Sequence, residues 1–196
     1  MRIVYFLYTI IIMSLSGCTV LQSPKLMEKS HSDNPLLYEF NEAIDFKNIK
    51  LGHIDGATTS ALIDADNILT AVLEVDLSAR NFENTLLKID DLYNTISKVW
   101  NLLELLSSTH PSKGIRHEAD KNDLRIQAYM INLSINEDLY MAILAYSNSQ
   151  EAIKLTGGRK RFLNSELNDF IRSGMELNAK KRHKLKEIQQ RISQLS

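Results

Sequence analysis

One stripe limits the fold of this chain more than any other feature. In NFENTLLKIDDLYNTISKVWNLLELLSS, the residues Phe82, Leu86, Ile89, Tyr93, Ile96, Trp100 and Leu103 recur at 4-3-4-3-4-3 spacing. That rhythm sets them along one side of an α-helix. Leu87, Leu92, Val99, Leu102 and Leu106 widen the stripe. A helix apolar over so much of its girth needs neighbours on more than one side. The stripe is read as packing core, not as a cofactor box.

The neighbours are visible in the same way. HIDGATTSALIDADNILTAVLEV carries Ala57, Ala61, Ile68, Val72 and Val75 near one face. Pro111 is expected to start a third helix, with Ile115, Ala119, Ile126, Met130 and Leu133 near one face. Ser134 and Glu137 fit an S-x-x-E capping box, so SINEDLYMAILAY is expected to begin a new helix. Thr156-Gly157-Gly158 reads as a break. RKRFLNSELNDFIRSG then makes another helix, with Leu163, Leu167, Phe170 and Ile171 inward, Arg172 at its negative end and Gly174 as a left-handed cap.

Asn178 opens the last helix, in which Leu185, Ile188, Ile192 and Leu195 repeat at 3-4-3. The pattern is still running at Ser196, with no Gly, Asn or Pro to stop it, which suggests a longer design. No convincing strand occurs. The expected fold class is all-α. Only 7 Gly and 3 Pro in 196 residues agree with that, and a net charge of −1 gives no reason to expect nucleic acid.

The N-terminus reads as an address rather than as part of the fold. MRIVYFLYTIIIMSLSGC has a positive end at Arg2, an apolar run from Ile3 to Leu15, and small Ser16 and Gly17 before Cys18. That is the layout of a secretory signal, and the run is short for a span of about 20 residues. Leu15-Ser16-Gly17-Cys18 resembles the bacterial lipobox. That resemblance implies a lipid thioether on Cys18, cleavage between Gly17 and Cys18, and acylation of the new amine. Membrane lipid is then the expected partner. Several acyl chains, at about 0.8 kcal/mol per buried methylene, hold a protein stably on a bilayer. Thr19 is not the Asp that usually retains lipoproteins in the inner membrane, so within the cell envelope the outer membrane is weakly favoured. Residues 1–17 are read as a lipoprotein signal peptide and 18–33 as a polar tether without an apolar face.

Sites of chemistry are sparse. The histidines are His31, His53, His110, His117 and His183. A zinc helix of the H-E-x-x-H kind needs two His at i and i+4, and the near miss His117-Glu118-Ala119-Asp120-Lys121 ends in a cation. It reads as a solvated face. The single cysteine is used by the signal, which excludes Cys/His catalysis and an internal disulfide. TGGRKR lacks the spacing of a phosphate loop. Asp64/Asp66 and Asp90-Asp91 read as solvated charges. The basic run Lys180 to Lys184 reads as solvated too, with anionic headgroups or a carboxylate-rich neighbour as the alternative. No catalytic or metal-ligating residue is assigned.

Four pieces in order carry a family resemblance. Asn34-Pro35-Leu36-Leu37 precedes Phe46, Ile49, His53 and Ile54, an F-x-x-I-x-x-x-H-I segment. NFENTLLKIDDLYNTISKVWNLLELLSSTHPSKGIRHEAD follows, with Trp100 and a later H-P-x-K segment. RFLNSELNDFIRSGMEL and KKRHKLKEIQQRISQLS complete the set. Together, over residues 34–196, these resemble the start of the thimet oligopeptidase family, which includes oligopeptidase A, neurolysin and the dipeptidyl carboxypeptidases. The resemblance implies the N-terminal lobe of a neurolysin-like fold, built of long antiparallel helices beside a channel for short peptides. It also implies zinc in the complete family enzyme, on an H-E-x-x-H helix that this sequence does not contain. The chain is therefore expected to be a truncated, frameshifted or split peptidase, inactive alone, with short peptides or a separate catalytic lobe as partners. The alternative is a lipid-anchored helical binding or scaffold module.

Overall fold

The computed structural model describes residues 34–38 and 43–195. The signal, the cleavage site at Gly17 and Cys18, the tether over 18–33 and His31 lie outside the described residues. Within those described, every regular element is helical.

The fold begins with a docking of the two N-terminal motifs onto each other. The Asn34 side chain accepts from Leu36 N at 3.0 Å and donates to the His53 carbonyl at 2.7 Å. Leu36 is thereby sunk to 1% exposure, beside buried Ile49 and Ile54. A short 3-10 turn, Phe46–Asn48, leads into helix α1, Leu51–Leu73. His53 closes the start of α1 by accepting the Lys50 backbone N–H on Nδ1 at 3.2 Å. A second 3-10 turn, Leu77–Ala79, then leads to α2, Leu86–Thr109.

Helix α2 carries the wide stripe, except that Leu87, expected to widen it, points outward at 40% exposure. Leu86, Ile89, Leu92, Ile96, Val99, Leu102, Leu103 and Leu106 are all buried. Tyr93 and Trp100 are partly buried, and Phe82 is buried just ahead of the first turn. Three residues separate α2 from α3, Lys113–Ser134. With a link so short, the two helices must run antiparallel, and Trp100 Nε1 reaches Asp123 Oδ1 at 2.5 Å across them. Helix α3 lies parallel to α1: Gly114 sits near Leu51, and Arg125 bonds to Asp55 and Thr59 at 2.8 and 3.0 Å. Thus α1, α2 and α3 pack mutually as an up-down-up layer about 33–36 Å long.

Two expected helix starts are displaced. Helix α3 begins at Lys113 behind Ser112, so Pro111 sits in the link and not in the helix. Ser134 is the last residue of α3 and donates to the Ile131 carbonyl at 2.9 Å. The cap of α4, Glu137–Ser147, is Asn136, whose side chain accepts from Leu139 N at 2.9 Å. Asparagine competes as well as serine for this role, and its position two residues later keeps Leu139 and Ile143 inward.

Helix α4 lies against α1 and α6. A single turn, α5, Gln150–Ile153, precedes α6, Gly157–Arg172, so that of the expected break only Thr156 stays outside the helix, as its cap, and Gly157 starts it at φ +57°. Leu163 and Phe170 are buried and Leu167 is partly so, but Ile171 is 39% exposed. It sits one position beyond the face that Phe170 turns to α4, where the Tyr140 and Phe170 rings lie 5.7 Å apart.

Helix α6 ends in a Schellman motif. Met175 N donates to Phe170 O at 3.1 Å, Gly174 N to Ile171 O at 3.0 Å, and Gly174 has φ +90°. Asn178 then caps α7, Ala179–Ser193, by accepting from Lys181 N at 3.0 Å. Helix α7 rests on α3.

Candidate functional site

The residues that drew attention in the sequence prove to be dispersed. His53 is a helix cap, as described above. His110 accepts the Ser112 backbone N–H at 3.1 Å and so shapes the α2–α3 link. His117 is exposed on α3, and the residue that spoils its zinc motif, Lys121, pairs with Glu118 at 3.0 Å. That residue set does not fit a zinc ion. Among the described residues no group of three or more His, Cys, Asp or Glu is placed to hold a metal.

The basic run on α7 divides into two roles. Arg182 is half-buried; it donates to the carbonyls of Met175 and Leu177 at 3.0 and 2.8 Å and pairs with Glu137. It therefore ties α7 to the end of α6 and to α4. His183 and Lys184 face solvent beside Glu187. Asp91 pairs with Lys88 at 2.8 Å, and Asp64 and Asp66 are exposed.

Three other features depend on tertiary structure. The first is the outer stripe of α7. Leu185 is half-buried and touches the Gly174 turn, whereas Ile188, Ile192 and Leu195 are 46%, 59% and 71% exposed. The second is a buried polar contact between α2 and α6. Tyr93 Oη donates to Glu166 Oε2 at 2.9 Å, with Asp169 and Asp90 nearby. Burial, the largest influence, pushes the Glu166 carboxyl above the usual glutamate range, against the opposing pull of the Tyr93 hydroxyl. Burial also raises the Tyr93 hydroxyl, and the Glu166 charge adds to the effect. Separately, Tyr146 is fully buried with no partner for its hydroxyl among the described residues; burial, then Glu151 and Glu83, push it up to about 12.

The third is an open groove of about 600 Å³ between the C-terminal end of α1, the second 3-10 turn and α4. Leu73, Leu77, Met141, Leu144 and Ala145 give it apolar walls, with Arg80, Asp138 and Asn148 as the polar members. Arg80 is only 9% exposed. Its Nη1 donates to the Val72 carbonyl at 2.9 Å, closing the end of α1, while its buried Nε has no partner among the described residues. Burial lowers its pKa from the usual arginine value. Nothing in the sequence marked Arg80, because its neighbours come from three separate elements.

No described helix is long and apolar enough to cross a membrane.

Comparison with known proteins agrees with this architecture. The family profile described as Neurolysin/Thimet oligopeptidase, N-terminal domain, matches residues 60–182. A thimet-like oligopeptidase of Dictyostelium discoideum is 28% identical over 131 residues, 65% of this chain and 20% of that protein. Oligopeptidase A of Haemophilus influenzae is 27% identical over 163 residues, covering 83% of this chain and 24% of the relative. Saccharolysin of Saccharomyces cerevisiae is 24% identical over 143 residues, 71% of this chain and 20% of the relative. The chain thus spans about a fifth to a quarter of the length of these relatives. A helical architecture of the expected kind and a profile match over residues 60–182, more than half of the chain, converge: this chain belongs to the neurolysin/thimet oligopeptidase family and carries its N-terminal domain.

Proposed function

We propose that the chain serves as the channel-wall lobe of an oligopeptidase-type metallopeptidase, with the hydrolytic residues supplied by a further lobe. The observation that carries this reading is the α7 surface. Ile188 and Ile192 stand exposed on α7, and Leu195 just past its end, on the side away from α3. A contiguous apolar row of this kind is a surface built to be covered. In the complete family enzyme zinc supplies an activated water for peptide hydrolysis. Among the described residues no group fits that ion, so no step of the chemistry is assigned to them.

The same reading holds the lobe at a bilayer of the bacterial envelope through acyl groups on Cys18, with the outer membrane favoured by Thr19. What supports this is the order of charge, apolar run, small residues and cysteine at the N-terminus.

The test has two arms. Purified chain is assayed with zinc on a short fluorogenic peptide, alone and after mixing with the catalytic segment of a relative such as oligopeptidase A. The expected result is no cleavage alone, and tight association with the catalytic segment that Ile188→Ser/Ile192→Ser weakens. Zinc-dependent cleavage by the chain alone overturns the reading, and failure of the segments to associate favours a stand-alone binding module. For the anchor, labelled palmitate should be incorporated into the wild-type chain and not into Cys18→Ser. Equal labelling of both sinks the lipoprotein assignment.

A further inference from the structure

We infer that the outward side of α7 pairs with an amphipathic helix whose apolar seam is flanked by carboxylates. This rests on the reading above that α7 is covered, and it names the chemistry of the covering surface. Charge is divided unevenly over the chain. Residues 179–196 hold six Lys and Arg against one Glu, whereas residues 34–178 hold 14 against 21. A cationic helix thus rides on an acidic body. Only Arg182 is drawn inward, to the end of α6 and to Glu137. Lys184 shares Glu187 with His183. Among the described residues no carboxylate lies within ion-pair distance of Lys181 or Arg191.

The unpaired cations stand beside the exposed aliphatic residues. Lys181, Lys184, Ile188, Arg191 and Leu195 recur at 3-4-3-4 spacing, and Ile192 lies next to them. All six are exposed, whereas Leu185 and Gln189 are partly buried on the side turned to the bundle. That spacing draws one narrow seam along the helix, the width that a single partner helix covers. Charged flanks on such a seam set the choice of partner, and cations here select carboxylates. A bilayer is a poorer match. A helix lying in a membrane interface presents a broad apolar face with large side chains, and this seam offers two Ile, one Leu and no aromatic residue. A second copy of α7 is disfavoured by like charge, since the Lys and Arg of one seam would meet those of the other.

Three designed helical peptides are titrated into the full chain by calorimetry. They share a Leu seam and carry Glu, Gln or Lys on its flanks. The Glu peptide is expected to bind about tenfold more tightly than the Gln peptide at low salt, the worth of two or three exposed ion pairs, and added salt should shrink that preference. Lys184→Glu/Arg191→Glu, at exposed positions, should leave the melting curve unchanged and reverse the preference toward the Lys peptide. Ile188→Ser/Ile192→Ser should weaken all three. Equal binding of the Glu and Gln peptides overturns the inference, as does a preference that the charge variant fails to reverse, or no saturable binding at millimolar peptide. Phosphatidylglycerol vesicles that displace the Glu peptide and need Ile188 and Ile192 make the occupant a bilayer and overturn it too. So does a dimer of the chain alone that the charge variant dissolves. The lobe reading fails separately. Association with the catalytic segment that ignores both salt and the charge variant keeps that reading and overturns this inference. Charge-selective peptide binding without such association keeps this inference and favours the stand-alone module.

Discussion

Helices α2 and α7 carry apolar stripes of the same rhythm and meet opposite fates. In α2 the stripe is covered from both sides by α1 and α3, and eight of its residues are buried. In α7 no residue is fully buried, and Ile188 and Ile192, with Leu195 just past its end, look outward. The start of α7 is nevertheless well specified, by the Asn178 cap and by the Gly174 turn before it. Local signals thus make a good helix in both places. What differs is whether a neighbour exists for the apolar side, and burial at about 25 cal/mol per Å² follows the neighbour and not the rhythm.

The largest expected effect tests the α2 side. Leu103→Ala, at a position with no exposure, should cost about 2–5 kcal/mol in a urea melt. The equivalent Ile188→Ala on α7 should stay within about 0.5 kcal/mol. Similar costs at the two sites would mean that the α7 stripe is covered in solution.

Next comes the turn that sets α7 on the bundle. Gly174 has φ +90°, and a Cβ there would meet Leu185 Cδ2 at 2.7 Å and Leu177 Cδ1 at 3.0 Å. Gly174→Ala should therefore cost about 1–3 kcal/mol, with loss of α7 amide protection in hydrogen exchange. An unchanged exchange pattern would show that α7 holds its place without the turn.

A smaller effect belongs to the α2–α6 contact and depends on pH. Burial raises the Glu166 pKa in the folded chain, so the folded state holds this proton more tightly than the unfolded state. Stability should then fall as pH rises from the ordinary glutamate value of 4.5 through the raised folded value, and level off above it. Glu166→Gln keeps an acceptor for Tyr93 and should flatten that slope. A slope identical in the variant would place the titration elsewhere.

The smallest effect on stability is the most informative about function. Ile188→Ser/Ile192→Ser should shift the melt little and reduce binding of a hydrophobic dye. Undiminished dye binding would locate the exposed apolar surface away from α7.

Much of this was legible because its cause is local. The α2 stripe, the Gly174 cap and the Asn178 cap each depend on residues within a turn or two of one another. Two helix starts were misplaced for a reason of the same scale. Serine, asparagine and proline near a boundary all offer a plausible end, and the choice among Ser134, Asn136, Pro111 and Ser112 falls to whichever register keeps the apolar face inward. Ile171 was expected inward by the same periodicity that buries Phe170, but α4 covers only one side of that pair. The motifs at Asn34 and His53 looked separate in the sequence; in the fold they are two halves of one junction, joined by the Asn34 bond to the His53 carbonyl.

The sequence by itself determined that this chain is helical, where most of its helices run, and which family its motifs resemble. Helix periodicity and caps are written in residues three or four apart, and contacts of that range survive in any tertiary setting. Only the tertiary structure decided which stripes are covered, that Tyr93 meets Glu166 across two helices, and that Arg80 is left with a buried charge and an unused donor. Burial and pairing belong to surfaces brought together from distant parts of the chain, and a periodic pattern reads the same whether or not a partner lies against it.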